Sequence, residues 1–149
     1  MPHFTMPIGP EGPLLNAVVA VSEPKKQALE AAGLPVPPQV VIRALVDTGA
    51  SCCLLDPSVV TSLGLTPTGV AQVKTPTTGN ATVSSPQYDI MLLIPGSTLQ
   101  HPPAIFPALP VVTAELLVPQ GFHALIGRDL LADCVLVYNG ATRLFTLGY

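Results

Sequence analysis

An aspartate at position 47 closes the apolar run Ala44-Leu45-Val46 and is followed by Thr48, Gly49, Ala50 and Ser51. With 9 acidic and 6 basic residues among 149, the chain uses charge sparingly, so a carboxylate at the mouth of a buried strand stands out. A charge held against apolar surroundings is costly unless it is partnered. Gly49 permits a tight turn with a close backbone approach, and Thr48 adds a hydroxyl able to bond across to another backbone. This arrangement holds a carboxylate rigidly and leaves its oxygens reachable, which is what general acid–base chemistry requires. A second stretch, Leu125-Ile126-Gly127-Arg128-Asp129, follows about eighty residues later. It joins an apolar pair to a glycine and to a short helix opened by Arg-Asp.

Other reactive side chains are less organised. Cys52, Cys53 and Cys134 make an odd count with no zinc-ligand spacing, and they read as buried free thiols. His3, His101 and His123 lack partners at catalytic or ligand spacing and read as surface or loop residues. Asp129 and Asp133, four apart, read as solvated helix residues rather than as a metal site. Neither Ser51 nor Cys52 sits in a nucleophile elbow, and no His–Asp pair is placed to serve them. No metal and no cofactor are expected.

The elements that must position Asp47 are mostly strands. Residues 14–22, 39–47, 70–75, 81–94, 110–118, 134–140 and 142–149 are rich in β-branched residues and bounded by turn formers. Residues 24–34 predict a short helix with Pro24 near its start and Gly33 near its end. Residues 56–65 predict a clearer one, with Asp56 as N-cap, Pro57 in the first turn and Gly64 as the stop. Residues 127–134 have room for two turns. The Pro-rich segment 95–110 reads as a wandering loop. Eighteen prolines and twelve glycines leave few stretches long enough for an extended helix. The sum is one domain over residues 1–149, mostly β, a sandwich or closed barrel with one or two short helices.

Composition excludes several classes. Only 10% of the residues are charged and the net charge is −3, without blocks of either sign, so no nucleic-acid partner is expected. The longest greasy stretch, residues 104–119, carries Glu115, two interior prolines and a third at its end, so no membrane partner is expected either. The N-terminus lacks the basic and apolar regions of a signal peptide, which points to the cytoplasm.

Taken in order, Asp47-Thr48-Gly49-Ala50 at a strand end, a long hairpin over about 70–94 with a polar tip, and Leu125-Ile126-Gly127-Arg128-Asp129-Leu130-Leu131 resemble the retropepsin-like aspartic proteases. These are the single-domain, retroviral-type enzymes with bacterial and cellular relatives. The resemblance covers residues from about 39 to 149 and implies a closed acid-protease barrel with a flap hairpin. It implies that Asp47 is the catalytic aspartate, that Thr48 braces the site across a dimer, and that the Gly49 backbone meets the substrate. Ala50 and Ser51 would line the cleft, and Thr77, Thr78, Gly79 and Asn80 would close over it as the flap tip. Leu125, Ile126 and Gly127 would underpin the active-site loop, and Arg128 would tie the helix at about 127–133 to its neighbours. Where many relatives place an acidic partner for that arginine, this chain has Ser51 and Cys52, so Arg128 must turn to Asp129, Asp133 or a backbone carbonyl.

Counting aspartates adds a consequence. Aspartic proteolysis needs two carboxylates sharing one proton, and Asp56, Asp89, Asp129 and Asp133 all lack the following glycine turn. An active enzyme is therefore expected to be a homodimer with Asp47 of each chain at the twofold axis, cutting peptide or protein substrates. Ala50 offers the dyad no hydroxyl to stabilise its charged form, so activity is expected at mildly acidic to near-neutral pH. The alternative expectation is a retropepsin-fold module that dimerises or binds peptides without cleavage.

Overall fold

The computed structural model describes residues 1–74, 79, 81–96, 101–115 and 118–149. Among the described residues, ten strands and three helices run in the order β1 (His3–Pro7), β2 (Leu14–Val21), α1 (Glu23–Ala31), β3 (Val40–Val46), β4 (Leu54–Leu55), α2 (Pro57–Ser62), β5 (Gly69–Val73), β6 (Val83–Ile94), β7 (Ala104–Thr113), β8 (Ala124–Ile126), α3 (Arg128–Leu131), β9 (Val135–Asn139) and β10 (Leu144–Gly148). A single 3₁₀ turn at Val118–Gln120 precedes β8. Among the described residues no helix is long and apolar enough to cross a membrane.

Strand pairing makes a closed barrel. The large sheet runs β2-β3-β8-β4-β7-β6-β5, and an added β2–β6 ladder joins its ends into a six-stranded ring with β5 outside it. β6 achieves this by changing partner along one edge. Its first half, Val83–Gln87, pairs with β5, and its second half, Ile90–Leu93, pairs with β2. Period-two alternation sends Ala17 and Val19, Ile42, Ala44 and Val46, Ile90, Leu92 and Ile94, and Ala124 and Ile126 into one core. A separate antiparallel sheet, β1-β10-β9, packs Phe4, Phe145 and Leu147 onto that core.

Three elements depart from expectation. The later part of the supposed loop at 95–110 is strand, because β7 begins at Ala104. Its prolines survive because β4 pairs with β7 only at Val112 and Thr113, so that edge of the earlier residues needs no N–H donor. β7 also stops at Thr113, short of the strand expected to run to 118. At the other end, the N-terminal residues His3–Pro7, for which no strand signal was read, form β1 against β10. Of the helices, α2 carries the expected cap: Asp56 accepts from the Ser58 N–H at 2.9 Å, with proline in the first turn. α3 is a single turn, shorter than its sequence allows.

Candidate active site

The Asp47 turn exists because two distant strands run side by side. β3 and β8 pair in parallel, Ala44 with Ala124, Leu45 with Leu125 and Val46 with Ile126. The ladder continues one residue past β3, where the Asp47 N–H donates to the Ile126 carbonyl at 3.0 Å. The chain then reverses: the Ala50 N–H donates to the Asp47 carbonyl at 3.3 Å, and the Gly49 N–H donates to Asp47 Oδ1 at 2.8 Å. A Cβ on Gly49 would lie 3.1 Å from that same oxygen, so any larger residue would crowd the carboxylate. Asp47 is half-buried, and among the described residues Oδ1 is tied and Oδ2 is open.

α3 locks the turn from behind. The Arg128 N–H donates to the Ala50 carbonyl at 3.0 Å, and its guanidinium reaches the Thr48 carbonyl at 3.4 Å. Of the partners open to Arg128, the backbone carbonyl is therefore the one it takes. Gly127 is buried against the Cys52 peptide, whose carbonyl carbon and oxygen would collide with any added Cβ. Leu125, half-buried, and Ile126, fully buried, form the strand that carries this contact.

Asp129 is exposed on α3, as expected, but its carboxylate is also engaged: its Oδ2 accepts from the Cys53 N–H at 2.9 Å, and its Oδ1 accepts from the Cys53 thiol at 3.0 Å and from the Leu130 N–H at 2.9 Å. The Cys53 sulfur in turn accepts from the Gly127 N–H at 3.3 Å. Burial, and then the Asp129 carboxylate beside it, push the Cys53 thiol far above the usual range, so this cysteine stays protonated and serves as a donor. Cys52 and Cys134 are half-buried and also free. Asp56 is the second carboxylate used as scaffold. Burial alone would raise it, yet the Ser58 hydroxyl and N–H, the Val118 N–H and nearby His123 hold it below its ordinary value.

The remaining expected residues are distributed as follows. Thr48 is exposed, and its hydroxyl has no hydrogen-bond partner among the described residues. Ala50 is half-buried and Ser51 exposed beside the turn. β5 and β6 form the expected hairpin, and Gly79 near its tip has φ +59°. Thr77, Thr78 and Asn80 lie outside the described residues.

Register reveals a feature that no single segment displays. Leu14 pairs with Leu45, Leu45 with Leu125, and Leu125 with Leu54. These four leucines form a row across β2, β3, β8 and β4, each half-buried. Leu45 and Asp47 are two residues apart and share a face, so the row is an apolar floor leading to the carboxylate. Only the residues of each strand are visible in sequence; the row needs three pairings.

Comparison with known proteins agrees with this geometry. A family model described as "Aspartyl protease" matches residues 30–130. Among curated proteins none matches. The chain is similar to the crystal structure of a retropepsin-like aspartic protease from Rickettsia conorii, with 18% identity and a TM-score of 0.60, covering 99% of this chain and 90% of that one. The barrel is thus the retropepsin-like fold.

Proposed function

The chain belongs to the aspartyl protease family, and from that premise we propose that it is a homodimeric endopeptidase in which Asp47 of each protomer forms the catalytic dyad. One observation carries the reading: Asp47 is fixed through Oδ1 by the Gly49 N–H and lies next to the leucine row with its other oxygen open. One carboxylate of such a pair takes a proton from water as the oxygen attacks the peptide carbonyl. The other, protonated, hydrogen-bonds the carbonyl oxygen. The tetrahedral intermediate then collapses as a proton passes to the leaving nitrogen, giving a free acid and a free amine. A half-site in each chain makes the twofold assembly part of the mechanism, and the exposed Thr48 hydroxyl is a ready donor across that axis.

Leu14, Leu45, Leu125 and Leu54 favour substrates with large apolar side chains flanking the scissile bond, since a polar side chain laid there would lose its hydration. The β5–β6 hairpin is the element we assign as the flap. The test is cleavage of a mixed peptide library by wild type and by Asp47→Asn from pH 3.5 to 7.5. The expected result is cutting by the wild type alone, next to apolar residues, with an optimum at mildly acidic to near-neutral pH. A wild type that binds peptide or dimerises without cutting would instead make the fold a binding module.

A further inference from the structure

Among the described residues the cation of α3 has no anionic partner. Arg128 is exposed, and its guanidinium makes one long hydrogen bond, to the Thr48 carbonyl at 3.4 Å. It borders a groove walled by Thr48, Leu131, Ala132 and Leu136, so the opening pairs one positive charge with an apolar wall. The ion pair formed among the described residues is Lys26 with Glu23, at 4.0 Å; Arg128 takes no part in one. Its planar fork has five donors and fits a carboxylate in two-pronged fashion.

An anion without a cation stands on the opposite flank of Asp47. Gly9 and Gly12 close a tight turn, each N–H donating to the other's carbonyl at 3.0 and 3.1 Å. The turn is fastened to β3, because the Val46 N–H donates to the Pro13 carbonyl at 3.0 Å. Glu11 sits in this turn, exposed, and forms no ion pair among the described residues. Thus the β2 side of Asp47 presents a carboxylate, and the α3 side presents a guanidinium and an apolar groove.

A twofold axis beside the two Asp47 side chains and perpendicular to the line joining these flanks would set the β2 flank of one protomer against the α3 flank of the other. We propose that Glu11 of each protomer pairs with Arg128 of its partner, the exposed Pro10 of the same turn covering the groove. The groove's occupant is a second copy of this chain, and the pair occurs twice per dimer by symmetry. This inference rests on the dimeric reading above and names the contact that specifies it. Opposite charges across an interface fix partner and register more than they add raw affinity.

The experiment is sedimentation equilibrium on the wild type, Glu11→Arg, Arg128→Glu and the double reversal. Each single reversal should raise the dimer dissociation constant by about tenfold or more, and the double reversal should return it to within about threefold of wild type. Glu11→Gln, on an exposed turn where it cannot disturb the fold, should weaken the dimer and flatten its dependence on salt. A wild-type dimer whose double reversal is no tighter than the weaker single reversal, or whose Glu11→Gln variant keeps the wild-type constant, overturns the pairing and leaves the dimer intact. A wild type that remains monomeric at all concentrations overturns the dimeric reading itself.

Discussion

Two aspartates flank the junction of β3 and α3, and the molecule uses them in opposite ways. Asp129 meets three donors, from the Cys53 backbone, the Cys53 thiol and the Leu130 backbone. Asp47 meets one, from Gly49. The first carboxylate, though exposed, has both oxygens bonded and acts as a clamp between the loop and the helix. The second is held by one oxygen, and among the described residues the other is unbonded. A carboxylate's fitness for chemistry therefore lies in what it is not bonded to, and sequence motif alone does not reveal that.

Changing each aspartate in turn tests this contrast. Asp47→Asn should lower peptide cleavage by at least about a thousandfold, on the order of 4 kcal/mol in the barrier. Its urea-unfolding free energy should stay within about 0.5 kcal/mol of wild type, as for other changes away from buried networks. A variant that loses activity only because it unfolds would erase the distinction. Gly127→Ala strikes the support shared by both sides, since the new methyl must displace the Cys52 peptide. A loss of about 3 kcal/mol is expected, as for an overpacked site, and an unchanged melting curve would show that the contact yields easily.

Asp129→Ala sharpens the contrast from the other side. The buried Cys53 loses the acceptor for its N–H and thiol, so destabilisation of about 1–3 kcal/mol should appear in urea titration. The smallest effect belongs to Asp56→Ala at the start of α2, about 1 kcal/mol at pH 7 for a lost cap. Because Asp56 titrates lower in the folded chain than in the unfolded one, its contribution is full above the ordinary carboxylate value of about 4. It fades as pH falls through the folded value. The gap between wild type and Asp56→Ala should therefore narrow in acid; a gap that widens there would contradict the assignment.

How far the sequence reached follows from where each partner lies. Asp47 with Gly49, and Gly127 with Arg128, were legible because each pair spans one or two residues. The Asp56 cap was legible for the same reason, with Ser58 two positions away. The exposed helix position of Asp129 was legible, but its bonds were not, because Cys53, 76 residues earlier, supplies two of its donors. The first part of β7 was missed because prolines argue against strands unless an edge is free, and freedom of an edge is a property of the sheet. The leucine row was invisible for a similar reason: it is assembled by register across four strands.

The parallel pairing of β3 with β8 has a consequence in time. Asp47 is anchored by the carbonyl of Ile126, and its loop by Gly127, Arg128 and Asp129. Contacts between segments so far apart along the chain carry a loop-closure cost and form late in folding. During synthesis, the aspartate leaves the ribosome long before the residues that shape it. A growing chain therefore carries Asp47 without the turn that holds it, and that turn closes only once β8 and α3 have been made.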